Sequence, residues 1–177
     1  MVKLIAKPAC VPGVPLRIGD VEAVEVIYDQ LFSVAPFQMQ QSAVSEALKA
    51  QIGLGLTPLG RRKTKDNVTV QWFGHGVWLV TAPVSLTGMA AVTDQSDAWA
   101  VVKICGTQMI DVLARLVPID LRPAHFKTGY SARTMAGALH IAITRVDAHN
   151  CEIMVMRSMA ATLMHELETV MRRVAAR

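Results

Sequence analysis

The sequence predicts an α+β fold, in which two strand–helix–hairpin halves form a mixed or antiparallel sheet with helices packed on it. Three observations carry this expectation. Leu139, Ile141 and Ile143 alternate with His140, Ala142 and Thr144, the period of two that sends successive side chains to opposite faces of a strand. Ala160, Leu163, Met164, Leu167, Val170, Met171 and Val174 recur at helical spacing and make a stripe about 100° wide, the mark of a helix lying on a core. A strand, a helix and a hairpin follow one another near 21–81 and again near 98–156, a series that suits helices laid on a sheet.

Residues 1–20 carry Pro8, Pro12 and Pro15 with Gly13 and Gly19, so an extended arm with little regular structure is expected, lying across a neighbour or poorly ordered. Residues 21–177 form one α+β domain, with a candidate structural duplication relating 21–92 to 93–177. In 21–28 the valines alternate imperfectly with glutamates; the pattern fits a strand or a short helix and is read as a strand. Over 42–54, Ser42 is the candidate cap, Val44, Ala47, Leu48 and Leu54 line one side, and Gly53 and Gly55 end the helix. The basic stretch with Arg61, Arg62, Lys63 and Lys65 is read as a solvated loop spanning 57–67. Val68, Val70 and Trp72 then alternate with polar residues, and a glycine turn at 74–76 leads into 77–81, which is a hairpin. A short helical crossing is expected over 83–91.

The second half is the most legible. Val101, Val102 and Ile104 make a buried strand that stops at Gly106. Thr107 is the candidate N-cap of a helix whose apolar side is Met109, Ile110, Leu113, Leu116 and Val117. Asp111 and Arg115 stand four apart on its outer face, and Pro118 ends it. After the strand at 139–144 and a turn at 147–150, Cys151, Ile153 and Val155 form the return strand, with Met154 and Met156 on its other face. Ser158 is placed to cap the closing helix. Glu166 and Glu168 precede Arg172, Arg173 and Arg177 there, the charge order that a helix dipole favours.

Composition narrows the function. At 177 residues the chain holds one domain's worth of core, and its 52% hydrophobic content against 18% charged leaves either a tightly packed interior or apolar surface for a partner. No apolar run reaches the roughly 18 residues of a membrane span. The net charge of +4 is modest, and no basic face is interleaved with aromatics as nucleic-acid binding requires. Cys10, Cys105 and Cys151 form no close pairs and no secretory signal opens the chain, which together point to a reducing compartment, the cytoplasm.

No arrangement of reactive side chains in the sequence has the spacing of a catalytic or metal centre. The five histidines fall in no metal-binding spacing and there is no CxxC, so no metal site is expected. The glycines of 53–60 follow a helix instead of opening one, which excludes a dinucleotide fingerprint. Cys105 ends a buried strand, where a thiol is inert. Ser158 has a capping role and the carboxylates of Asp94, Asp97 and Asp120 are unpaired, so no catalytic or cofactor-binding residue is nominated.

A set of residues in order does resemble a known family. Trp78-Leu79, Asp94-Gln95-Ser96, Cys105-Gly106, the run 112–121 (VLARLVPIDL), Phe126, Gly129, Ala132-Arg133-Thr134, 141–145 and Arg157-Ser158 with Ala161 are similar to the gamma subunit of heterotetrameric sarcosine oxidase. The resemblance covers roughly 68–177 and departs at 36–41 and 61–67. It implies a fold related to the folate-binding domain of the glycine-cleavage aminomethyltransferase. It also implies the role of a small non-catalytic, structural subunit beside the larger alpha, beta and delta chains. The whole enzyme demethylates sarcosine to glycine with one-carbon transfer to tetrahydrofolate; FAD, FMN, NAD, zinc and tetrahydrofolate belong to the other subunits. Aromatic residues and arginine are favoured interface anchors, so Trp99, Phe126, Tyr130 and Arg133 are the partner-interface candidates. The plain alternative puts Trp99 and Phe126 in the core and lets Arg133 snorkel from a sheet edge. Two rival readings are a free-standing folate-binding or one-carbon transfer protein, with Asp94 as the acid reaching the pterin, and a homodimer of the isolated chain.

Overall fold

The computed structural model describes residues 7–177. Eleven strands and three helices follow in the order β1 (Leu16–Ile18), β2 (Val21–Val26), β3 (Phe32–Pro36), α1 (Gln41–Ile52), β4 (Arg62–Lys65), β5 (Val68–Gly74), β6 (Val77–Val80), β7 (Ala90–Asp94), β8 (Trp99–Cys105), α2 (Met109–Leu113), β9 (Ser131–Ala136), β10 (Leu139–Arg145), β11 (Asn150–Met156) and α3 (Ala160–Ala175). The α+β class holds, with the strands divided between two sheets in which every pairing is antiparallel. The first sheet has the order β1-β2-β8-β11-β10-β9 and the second β4-β5-β6-β3-β7.

Burial on both faces of the central strands explains the second sheet. On β10, Ile141 and Ile143 pack under the helices, while Ala142 and Thr144 on the opposite face are also buried. A single half-solvated sheet leaves that second face wet; here the other sheet covers it. The result is four layers: α2 and α3, the first sheet, the second sheet, then α1. All seven apolar residues of the expected α3 stripe are buried, each stabilising by about 1.5–3 kcal/mol when it is as large as leucine or methionine. Leu31, Leu79, Val101, Ala142 and Met154 fill the space between the sheets.

The sheets also meet at one margin. Arg61 bridges Tyr130, the Arg62 N–H donates to the Gly129 carbonyl at 2.8 Å, and the Ser131 N–H donates to the Gly60 carbonyl at 2.9 Å. A Cβ at Gly60 would stand 3.1 Å from the Ser131 oxygen and one at Gly129 would stand 3.2 Å from the Arg62 oxygen, so a side chain at either position would crowd the crossing backbone.

Several local expectations are corrected. The basic 57–67 stretch contains the edge strand β4, because its backbone is captured by β5. The 83–91 segment holds no helix and ends in β7, which pairs with the unforeseen β3. Thr107 does not cap α2: its hydroxyl bonds the Asp20 carboxylate, which also accepts the Gln108 N–H at 3.1 Å and so serves the helix start from outside. That helix is shorter than its apolar pattern, ending at Leu113. Arg115 donates to the Asp111 carbonyl, not to its carboxylate. Neither Ser42 nor Ser158 makes a side-chain cap; Ser42 lies inside α1 and Ser158 within the single 3-10 turn Arg157–Met159. Positions 1–6 of the expected arm lie outside the described residues, whereas 16–18 form β1 against β2. Between them the chain is tied to its own molecule, with the Glu25 carboxylate accepting the N–H groups of Ala9 and Cys10 at 2.7 and 3.0 Å. The strand at Val21–Val26, expected to head the first half, is hydrogen-bonded to β8 in the first sheet.

Candidate partner surface

Trp99 opens β8 on the face that looks toward the second sheet, in line with the buried Val101. Across the ladder it pairs with Met156, which is 56% exposed. The second sheet contributes Phe73, from the place where the β5–β6 register shifts between Trp72 and Gly74. Such a bulge re-aims a side chain out of strict alternation, and Phe73 meets Trp99 edge to face, ring centroids 4.8 Å apart at 79°. Arg133, on the outer strand β9, lays its guanidinium 4.5 Å from the Phe73 centroid and 5.5 Å from that of Trp99. Partial burial lowers its pKa from the arginine range, but an arginine's starting value is so high that the charge stays. These side chains, with Ser33, Val77, Leu79 and Gln95, bound a cleft of about 380 Å3. A second cleft of about 450 Å3 also has Trp99 in its lining, with Tyr28, Asp29 and Asp97 on its walls.

The loop that delivers Trp99 is set by Asp94-Gln95-Ser96. The Asp94 carboxylate accepts the Ser96 hydroxyl at 2.6 Å and its N–H at 2.8 Å, and these bonds hold its pKa below the usual carboxylate value. The Ser96 side-chain oxygen in turn accepts the Leu31 N–H at 3.0 Å, and the Gln95 backbone N–H donates to the Leu31 carbonyl at 2.7 Å. Asp94 is therefore an exposed turn-former, engaged with its own loop; it does not reach into a central pocket.

The four interface candidates fall into two separate pairs. Trp99 and Arg133 share the cluster above. Phe126 is only 6% exposed within the core under the helices, so it presents no surface of its own. Its loop is tied down by the buried Arg145, whose guanidinium donates to the carbonyls of Phe126 at 2.6 Å and Leu121 at 2.5 Å. Tyr130 packs edge-on to Phe126 at 6.2 Å and carries the Arg61 guanidinium 3.4 Å above its ring.

A polar layer between the sheets was not foreseen. Arg62 and Tyr28 both bond the Glu152 carboxylate, the hydroxyl at 2.9 Å, and Arg62 also donates to the Tyr28 oxygen at 3.2 Å. Burial, with the neighbouring Glu152 adding to it, pushes the Tyr28 hydroxyl up to about 12; Arg62 is held above its ordinary value by Tyr28 and Glu152 against the opposing effect of burial. Beside them Gln71 and Thr144 each donate to the Ser131 hydroxyl at 3.1 Å. The free space next to this layer is about 10 Å3, room for one water at most.

Among the described residues no group of three or more His, Cys, Asp or Glu side chains converges as metal ligands require, and no helix is long and apolar enough to cross a membrane. The glycine stretch closes α1, the Gly53 N–H donating to Lys49, and opens no helix of its own onto a phosphate.

No family model matches the sequence and no curated protein matches it at a significant level. Solved structures do match. A chain of the heterotetrameric sarcosine oxidase from Corynebacterium sp. U-96, in complex with pyrrole 2-carboxylate, superposes with a TM-score of 0.78 at 20% identity, over 96% of this chain and 92% of that one. The glycine cleavage system aminomethyltransferase T from Bartonella henselae superposes with a TM-score of 0.57 at 14% identity, over 90% of this chain but only 48% of its own length. The fold expected from the resemblance is thus the fold observed, and this chain spans about half of the aminomethyltransferase.

Proposed function

We propose that this chain is the small structural, non-catalytic subunit of a heterotetrameric sarcosine oxidase, the counterpart of its gamma subunit. It docks on a larger flavoprotein chain and stabilises it. The supporting observation is the two-way coverage: 96% of this chain on 92% of a chain of that enzyme, against 48% of the aminomethyltransferase. In this reading FAD, FMN, NAD, zinc and tetrahydrofolate belong to the alpha, beta and delta chains, oxidation of sarcosine takes place there, and the assembly works in the cytoplasm.

Co-expression with the chains encoded beside it, followed by affinity purification, tests the proposal. The expected result is a stoichiometric complex with the visible absorbance of bound flavin. Elution of this chain alone refutes it. Saturable quenching of Trp72, Trp78 or Trp99 by reduced folate in the lone chain instead favours a free-standing folate-binding protein.

A further inference from the structure

We infer that the cleft beside Trp99 is where the partner chain inserts an aspartate or glutamate side chain, received by Arg133 within an aromatic frame. The inference rests on the proposed function and names the partner's chemistry. Four other arginines of the molecule have a carboxylate, Arg17 with Glu22, Arg62 with Glu152, Arg122 with Asp120 and Arg172 with Glu168, and Arg61, Arg115, Arg145 and Arg157 donate to backbone carbonyls. Arg133 has none among the described residues, and it donates no hydrogen bond to any of them. Its guanidinium nevertheless lies close to two aromatic rings, 4.5 Å from the Phe73 centroid and 5.5 Å from that of Trp99. Contact with a ring leaves the N–H donors of an arginine without an oxygen acceptor, so they are available to bind a carboxylate in a fork.

The walls agree. Ser33 and Gln95 are neutral hydrogen-bonding groups, Val77 and Leu79 are apolar, and among the described residues no acid lines this cleft. The exposed Met156 beside Trp99 extends the apolar rim. An arginine already held in place loses little freedom on binding, and tryptophan and arginine at the centre of an apolar patch are the usual anchors of an interface. The charge of the patch selects an acidic occupant over a basic one.

The test measures affinity of the full-length chain for its purified flavin-containing partner at two salt concentrations. Arg133→Met keeps an apolar stem and removes the fork; it is expected to weaken binding about thirtyfold and to flatten the salt dependence. Arg133→Lys keeps the charge and recovers part of the loss. Gln95→Glu, which leaves Arg133 in place but sets a carboxylate on the cleft wall, weakens binding as well. Unchanged thermal midpoints separate these effects from misfolding. If Arg133→Met and Gln95→Glu both bind within about threefold of wild type, the inference fails while the subunit reading stands. If the wild-type chain binds no flavin-containing partner, the subunit reading fails and takes this inference with it.

Discussion

Replacing Glu152 by glutamine probes the polar layer between the sheets. The Arg62 and Glu152 side chains are 10% and 9% exposed, so water cannot solvate the guanidinium once its carboxylate is gone. Removing one member of a buried pair typically costs about 3–5 kcal/mol, because the other charge is left uncompensated. The lower end, about 3 kcal/mol, is expected for Glu152→Gln, since Arg62 keeps its bond to the Tyr28 oxygen at 3.2 Å. Arg62→Met together with Glu152→Gln removes both charges and their desolvation cost, and should return to within about 1 kcal/mol of wild type. Urea unfolding of wild type, both single variants and the double variant gives the coupling directly. If Glu152→Gln costs less than about 1 kcal/mol, or the double variant costs the sum of the singles, the compensated-pair argument is wrong.

Gly106 at φ +127° has the Asp20 carbonyl oxygen only 2.1 Å from where a Cβ would be; Gly106→Ala should destabilise by about 3 kcal/mol or more through strain and overpacking together, read as urea midpoint. The Tyr28 hydroxyl, raised by burial from 10.0 to about 12, favours the folded state below pH 10 and loses that contribution as pH rises toward 12. The loss is about 2–3 kcal/mol, and Tyr28→Phe should flatten the fall in stability over that window; an unchanged slope counts against it. Burial also pushes the Cys10 and Cys151 thiols up to about 11. Cys105, expected from its strand to be buried and inert, is instead partly exposed, so iodoacetamide at mildly alkaline pH should modify it first, with the other two labelled only on unfolding, as peptide mass spectrometry will show.

Elements with a strong period were legible. The α3 stripe, the β10–β11 hairpin and the β5–β6 hairpin all stand where alternation and spacing placed them, because each has apolar residues enough to declare its buried face. Short elements were not: β3, with Val34 its only fully buried residue, and β4, all basic or threonine, are strands because neighbours supply hydrogen bonds. Serine and threonine beside a helix start suggest caps, yet at α2 that contact comes from Asp20, distant in sequence. For the candidate surface, Trp99 and Arg133 were legible as residue types, but their meeting was not, since it depends on Phe73 from another sheet. The consecutive aromatics Trp72 and Phe73 before Gly74 were the available sign, as two adjacent rings cannot share one face of a regular strand. Arg62 was masked by its basic neighbours; only the fold brings it to Glu152, ninety positions away.

The margin where Gly60 to Arg62 meets Gly129 to Ser131 ties the two layers into one mechanical body. A sheet held only by side chains can slide over its neighbour; one stitched through its main chain at an edge cannot shear there without breaking those stitches. Neither layer has an independent route to disorder along that side. Heat or denaturant must take both together, so tryptophans on the two sheets should report a single melting curve.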